Sequence, residues 1–422
     1  MPRGLPRLTR NSGLAFFAAL TYFNLSTFGF HVIVSRLLGP ARYGALGAIL
    51  ALAALTGNGT GAVSAAATRA VAAGGPTAAW DTRRVRRIGL LAAVVAVAVV
   101  LALDPVLERY LHLTSPVPLL LFAVLAGATL AGMVPRGILL GRRRFAPVSS
   151  ALVCGVTTKL VLGAVLAHAA GISGAMAGAA LGECVTAALC FRAERAAPGN
   201  AGDGRRLSVP LRSFSLATGA YWGFWLLTAT DTFLARHLLG ATASGLYVAA
   251  STAASIALFL PNNITLAAFP SLAGAAAEGG GPPGTFRRPF TAAAALTVLA
   301  AGGLALFPSE VVAVLFGPGF KRAAPLLAIL AVSNGSQGMV SFLMHHQLAH
   351  HKLTCLLPWA AILVLVPIVY AAHASGSQIA TEDVIVSAAL FGVMGLLSLR
   401  LLVPRAADVA DVAPLPFEVV AE

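Results

Sequence analysis

Charged side chains inside long apolar stretches are the first chemistry that this 422-residue sequence offers. A charge at the centre of a bilayer costs about 2.5 kcal/mol or more, so such residues face protein or water and mark ion or substrate pathways. Lys159 and Glu183 lie near the middle of two consecutive stretches, where either a structural ion pair or a functional role fits them. Asp231 lies in a later stretch and either titrates with a coupling proton or pairs with Arg236. The candidate coupling carboxylates are therefore Asp231 and Glu183.

Further polar residues lie on helix faces within the apolar stretches. Arg69 and Arg136 either capture an anionic headgroup, since guanidinium matches phosphate geometry, or form the basic flank of their stretches. Asn24, Thr27 and His31 recur at i, i+3 and i+7 and share one helical face. Polar faces on matched helices of both halves are most simply explained by a central hydrated cavity, whereas for any single Ser or Thr interhelical hydrogen bonding is the preferred interpretation. The candidate substrate-binding residues of the predicted cavity are Asn24, His31, Arg69, Arg136, Lys159, Trp225 and Asn262.

The sequence contains no motif that predicts a metal site, a nucleotide-binding loop or a catalytic site. The four cysteines lie in apolar stretches and form no Cys-x-x-Cys pair. His346 and His350 share a helical face, but no carboxylate or cysteine completes a metal site, so a polar flank at the interface is preferred. The sequence has no Gly-x-x-x-x-Gly-Lys-[Ser/Thr] loop and no large polar domain for catalysis. We therefore predict no metal, no cofactor and no enzymatic activity.

The composition requires a membrane environment. The chain is 58% hydrophobic and 10% charged, with a mean hydropathy of +0.84, whereas soluble domains are about 25% charged. The net charge of +14 comes from short clusters between apolar runs, which argues against nucleic-acid binding. These numbers predict an all-α integral membrane protein.

The apolar runs predict about twelve membrane-spanning helices. Lys and Arg concentrate at the N-terminus and in the even-numbered loops, for example at Arg83–Arg87 and Arg142–Arg144, so both termini are predicted to be cytoplasmic. The third and ninth spans are almost wholly apolar and are expected to face lipid. The predicted spans are 12–38, 43–72, 88–110, 117–140, 146–169, 171–192, 211–239, 242–273, 289–308, 323–348, 353–374 and 383–403.

An internal repeat divides the spans into two halves. The motif Leu38–Gly44 returns about 200 residues later as Leu239–Gly245, and weaker echoes keep nearly the same offset. Six spans in each half make the repeats parallel, which predicts two six-helix lobes around a central cavity. The predicted organisation is an N-terminal lobe (1–192), a cytoplasmic linker (193–212), a C-terminal lobe (213–405) and a disordered cytoplasmic tail (406–422).

The motifs at the repeat resemble a known family. Ser35–Gly44 at the end of the first span, Asp231–Gly240 at the end of the seventh and Ala268–Leu272 at the close of the eighth resemble bacterial polysaccharide flippases. These belong to the multidrug/oligosaccharidyl-lipid/polysaccharide exporter superfamily. The resemblance implies a multi-pass protein of the bacterial cell membrane that works by alternating access. It also implies a polyprenyl-diphosphate-linked oligosaccharide as substrate, moved to the outer leaflet, with Arg69, Arg136 and Lys159 as the cationic cavity residues.

Two other functions stay open. One is a proton- or sodium-coupled exporter of drugs or metabolites with the same fold, and the other is a membrane scaffold for envelope synthesis. No acidic residue lies between Asn11 and Arg36, where drug-extruding relatives commonly carry one, and this favours the polysaccharide branch. The expected partners are the lipid-linked oligosaccharide, anionic membrane lipids, and a polysaccharide polymerase and glycosyltransferases.

Overall fold

A computed structural model describes residues 7–59, 61–73, 82–196, 211–277 and 284–401. Apart from short connections, the chain is helical in these ranges, and they contain no strand. Most of the predicted linker and all of the predicted tail lie outside the described residues. The helices are α1 (Arg7–Gly59), α2 (Gly61–Ala73), α3 (Thr82–Tyr110), α4 (Val117–Gly141), α5 (Phe145–Arg195), α6 (Leu211–Leu238), α7 (Ala241–Ala277), α8 (Gly284–Leu306), α9 (Pro308–Phe316), α10 (Ala324–Ala349), α11 (Leu357–Ala371) and α12 (Gly376–Leu401).

The long helix α1 is a hairpin of two spans. Gly39 has φ 70° and ψ 172°, a conformation that only glycine adopts without strain, and Pro40 follows it. His31 Nδ1 lies 3.1 Å from the Tyr43 hydroxyl. In a continuous helix these residues would be about 18 Å apart along the axis, so the chain reverses at Gly39.

The helix α5 is a second hairpin, which reverses at Gly171 with φ 60°. Its two arms meet through glycines. A Cβ on Gly178 would lie 2.2 Å from Gly163 Cα, and a Cβ on Gly182 would lie 2.6 Å from the Gly155 carbonyl oxygen. Small residues let helix backbones approach closely where lipid gives no hydrophobic drive between them.

The count of spans agrees with the sequence. Within the described ranges, nine helical segments are long and apolar enough to cross a membrane, and the segments in α1 and α5 each hold two passes. These nine segments therefore hold eleven passes, and the less apolar helix α6 lies at the predicted seventh span. In α3 and α8 the apolar side chains are exposed, as predicted for lipid-facing spans; Leu91 is 64% and Leu299 72% exposed. The last span begins at Gly376, not at residue 383, because the chain is capped there: the Gln378 amide donates to Ser375 Oγ at 3.3 Å, and the Ala374 amide donates to Gln378 Oε1 at 3.2 Å.

The residues group into two compact units. The first comprises Met1–Trp225, Arg236–Ala249 and Phe316–Gly319. The second comprises Leu226–Ala235, Ala250–Leu315 and Phe320–Glu422. In the first unit the core lies between the α1 and α5 hairpins and α4. In the second unit α10 packs against α8 and α12.

Candidate functional site

The first unit holds a group of charged side chains on the α1 and α5 hairpins and on α4. Lys159 Nζ lies 5.0 Å from the centroid of the Phe30 ring, a cation–π arrangement. Lys159 interacts electrostatically with His31 on the α1 hairpin and with Glu183 on the opposite arm of α5. The lysine and the glutamate do not form a close salt bridge. The structure thus brings together two predicted cavity residues and one predicted coupling residue.

Arg136 of α4 belongs to the same charged group of the first unit. Both Arg136 and Glu183 act electrostatically on the buried thiol of Cys190. Arg136 is half-buried, and its Nη2 lies 3.0 Å from the sulfur of Met133, one helical turn away. A thioether is a weak acceptor, so the guanidinium retains donors for an anionic ligand. We call Lys159, His31, Arg136 and the accompanying carboxylate Glu183 the basic row.

The second unit holds an acidic cluster that centres on Asp383. This aspartate is fully buried in α12 and accepts a hydrogen bond from Ser333 of α10. Gln337 Nε2 lies 3.4 Å from the same carboxylate oxygen and donates to Ser387 Oγ at 3.2 Å. The second oxygen of Asp383 and the Gln337 carbonyl oxygen are both buried without a hydrogen-bond partner. We call Ser333, Gln337, Asp383 and Ser387 the acidic cluster.

The predicted coupling residue Asp231 belongs to the same unit. It is 2% exposed, its Oδ1 accepts a hydrogen bond from the Thr232 amide at 2.7 Å, and it interacts electrostatically with Asp383. Sequence reasoning missed Asp383 because it placed the start of the last span at this residue. The available signal was the polar stripe Ser333, Gln337 and Ser341, which required a polar partner on a neighbouring helix.

The remaining predicted site residues are dispersed. Asn262 is buried and accepts a hydrogen bond from Ser341 Oγ at 2.8 Å in the second unit. Trp225 in α6 is half-buried and contacts Phe224 edge to face at 5.2 Å. Asn24 in α1 is exposed. Arg69 lies in α2, but its side chain is outside the described residues.

Arg236, which precedes the Leu238-Leu239-Gly240 turn, is buried within the protein. It is 5% exposed. Its Nε donates to the Leu111 carbonyl at 2.8 Å, its Nη2 to the His112 carbonyl at 3.1 Å and its Nη1 to Ser244 Oγ at 3.2 Å. His237 stacks on Tyr110 with ring centroids 4.1 Å apart. The C-terminal end of α6 is therefore fixed to the loop between α3 and α4.

The repeated motif marks a close helix crossing. A Cβ on Gly245 would lie 1.7 Å from the Pro40 carbonyl oxygen, and a Cβ on Gly44 would lie 2.7 Å from Ser244 Oγ. The two copies of the motif therefore pack directly against each other within the first unit. Glycine is required at both positions because the backbones touch.

Comparisons with known proteins agree with this architecture. The profile of the polysaccharide biosynthesis protein family matches residues 33–325. No curated protein sequence matches the chain.

Several solved transporters share the fold. An inward-facing multidrug resistance transporter of the MATE family and MOP superfamily is 15% identical, with a TM-score of 0.68 over 90% of this chain and 95% of that one. The lipid II flippase MurJ in an inward closed conformation is 12% identical, with a TM-score of 0.67 over 92% and 87%. A MOP superfamily transporter from Pyrococcus furiosus is 15% identical, with a TM-score of 0.60 over 93% and 95%.

The profile match confirms the predicted polysaccharide family, and the solved structures confirm the fold class and agree with the predicted multi-pass membrane location. At such low identity the solved structures establish the fold, and the profile match over most of the chain establishes the family. The protein is a multi-pass membrane protein with the fold of MATE transporters and MurJ, and it belongs to the polysaccharide biosynthesis protein family.

Proposed function

We propose that the protein flips a polyprenyl-diphosphate-linked oligosaccharide from the cytoplasmic to the outer leaflet by alternating access. The family match carries this proposal, because the family is one of polysaccharide biosynthesis and the fold is one that transporters and a lipid flippase use. The two six-helix lobes and the central cavity predicted from the repeat are part of the proposal. We place the protein in the bacterial cell membrane.

The basic row supports a diphosphate-bearing substrate. Lys159 and Arg136 lie on helices inside the first unit, and only Glu183 offsets their charge within the row. A cation in a low-dielectric setting attracts a phosphate more strongly than it does in water. Arg136 has the fork geometry that matches phosphate oxygens, and Lys159 acts as a point charge. Their role is to hold the diphosphate while the sugars pass through the cavity.

The acidic cluster supports a coupling cation. Asp231 and Asp383 are buried in the same unit and repel each other when both are ionised, so a proton or Na⁺ is needed to neutralise one charge. The unpartnered oxygens of Asp383 and Gln337 are the ligand type that hard cations prefer. Binding of such an ion would change the packing of α10 against α12 and so bias one conformation of the transporter.

Complementation tests the flipping role. In a strain that lacks its own polysaccharide flippase, we expect the wild type to restore surface glycan and Lys159→Ala or Arg136→Ala to lose it at matched membrane levels. Lys321→Ala is the control, because it removes one positive charge from an exposed position outside the basic row. Unaltered glycan in both variants would refute the role of the basic row. No restoration by a well-expressed wild type, with no headgroup translocation in vesicles, would refute flipping.

A coupled exporter of small molecules is the second candidate, and the acidic cluster is the observation that favours it. Drug or metabolite efflux in vesicles would depend on an imposed ion gradient, and Asp383→Asn would abolish that dependence. Glu310→Gln is the matched control, since Glu310 is an exposed carboxylate outside the cluster. Efflux without lipid-linked sugar translocation would replace the first proposal with the second.

A further inference from the structure

A groove opens between the first turns of α3 and the last turns of α5, within the first unit. It has a volume of about 680 Å³. The positive-inside rule assigns this end of both helices to the cytoplasm. The groove is lined by Leu90, Ala188, Phe191, Arg192, Arg195 and Ala196.

The rim of the groove carries a net positive charge. Arg192 and Arg195 are exposed in the last turn of α5, where the helix dipole favours cations. Among the described residues of these helix ends, the carboxylate is Glu194, which is 6% exposed and lies 3.7 Å from the guanidinium of Arg86. Arg144 adds a further charge, since its Nη1 lies 3.4 Å from the Ala193 carbonyl oxygen. With Glu194 offset by Arg86, the charges of Arg192 and Arg195 are available to an anion.

The floor of the groove continues into the lipid-facing surface of α3. Leu90 is 42% exposed, and Val94, one turn further along the same face, is 65% exposed. Phe191 and Ala188 form the opposite apolar wall. A ligand that fits this shape has a negative headgroup at the membrane surface and a hydrocarbon chain that runs down α3.

We propose that this groove binds an anionic glycerophospholipid, with its phosphate between Arg192 and Arg195 and one acyl chain against Leu90 and Val94. Charge complementarity at the rim and the apolar floor together define this ligand, since a soluble anion would leave the floor exposed and a neutral lipid would leave both guanidinium groups unpaired. The site lies on the lipid-facing side of the α3 and α5 ends. The inference does not depend on the proposed flipping activity, because it concerns binding by the resting protein.

Binding of phosphatidylglycerol by the purified full chain in neutral detergent tests the inference, with phosphatidylcholine as the neutral lipid. Each arginine near an anionic headgroup contributes about 1 kcal/mol, so the double variant Arg192→Gln/Arg195→Gln is expected to bind phosphatidylglycerol about 30-fold more weakly. The matched control is Arg287→Gln/Arg288→Gln, which removes two exposed charges from the N-terminal part of α8. It is expected to change the affinity less than about threefold.

A third variant separates the groove from its charged rim. Ala188→Trp fills the apolar part while keeping both arginines, and it is expected to weaken phosphatidylglycerol binding. If the two double variants lost the same amount of affinity for phosphatidylglycerol, the lipid would be held by diffuse attraction to the positively charged protein, and the inference would be overturned. If millimolar inorganic phosphate displaced the lipid and Ala188→Trp had no effect on lipid binding, the groove would be a site for small anions, and the inference would be overturned. Tighter binding of a polyprenyl phosphate than of phosphatidylglycerol would assign the groove to the transport substrate and would equally overturn the inference.

Discussion

Replacing Arg236 tests whether the C-terminal end of α6 is held by the contacts described above. Arg236→Gln removes the guanidinium that bonds the carbonyls of Leu111 and His112 and the hydroxyl of Ser244. A hydrogen bond to a charged group contributes about 1.5–3 kcal/mol, and a buried carbonyl left without a donor adds a penalty. Glutamine recovers at most one of the three bonds.

We expect Arg236→Gln to lower the free energy of unfolding by about 3 kcal/mol, since at least two of the three charge-assisted hydrogen bonds are lost. Arg236→Lys keeps the charge but cannot reach three acceptors, so an intermediate loss of about 2 kcal/mol is expected. The assay is unfolding of the full chain in mixed micelles by increasing amounts of sodium dodecyl sulfate.

Arg36 supplies the matched control. It precedes the first Leu-Leu-Gly turn as Arg236 precedes the second, but its side chain is exposed. Arg36→Gln is therefore expected to change the unfolding free energy by less than about 0.5 kcal/mol. If Arg36→Gln and Arg236→Gln had the same effect, the anchoring role of Arg236 would be wrong.

Two further predictions concern glycines. Gly245→Ala places a methyl group 1.7 Å from the Pro40 carbonyl oxygen, so we expect a loss of more than about 2 kcal/mol and poor accumulation in the membrane, whereas Gly240→Ala, with nothing within 4 Å, is the tolerated control. Equal accumulation of the two variants would contradict the close crossing. Gly171→Ala forces an alanine to φ 60° and is expected to cost about 1–2 kcal/mol in the same unfolding assay, compared with Gly57→Ala, which meets no atom within 4 Å. A Gly171→Ala variant as stable as the control would show that the α5 hairpin does not need the left-handed turn.

Much of the fold could be predicted from the sequence because hydrocarbon imposes strong rules. Apolar runs of about 20 residues gave the number and order of the spans, and the exposed faces of α3 and α8 follow from their lack of polar residues. The motif repeated at Leu38–Gly44 and Leu239–Gly245 indicated two related halves. The sequence did not reveal that Gly44 and Gly245 are repeated because the two copies pack on each other, since a glycine requirement depends on the neighbouring backbone.

The candidate site was only partly predictable. Lys159, Glu183 and Asp231 stood out because an ionisable group in an apolar run is costly. Asp383 did not, because a carboxylate near the end of a run is indistinguishable from one in a loop until the start of the helix is known. The role of Arg236 was also hidden, since the carbonyls that it binds are more than 120 residues away in the sequence.

The sequence by itself determined that the chain crosses the membrane about twelve times, repeats itself and carries charged residues in its interior, because each of these properties depends on composition along one segment. The tertiary structure decided the remaining partners: it adds His31 to the Lys159 and Glu183 pair that the sequence suggested, and it brings Ser333, Gln337 and Asp231 to Asp383. The physical reason is that electrostatic energy depends on distances between side chains from different helices, and helix packing sets those distances.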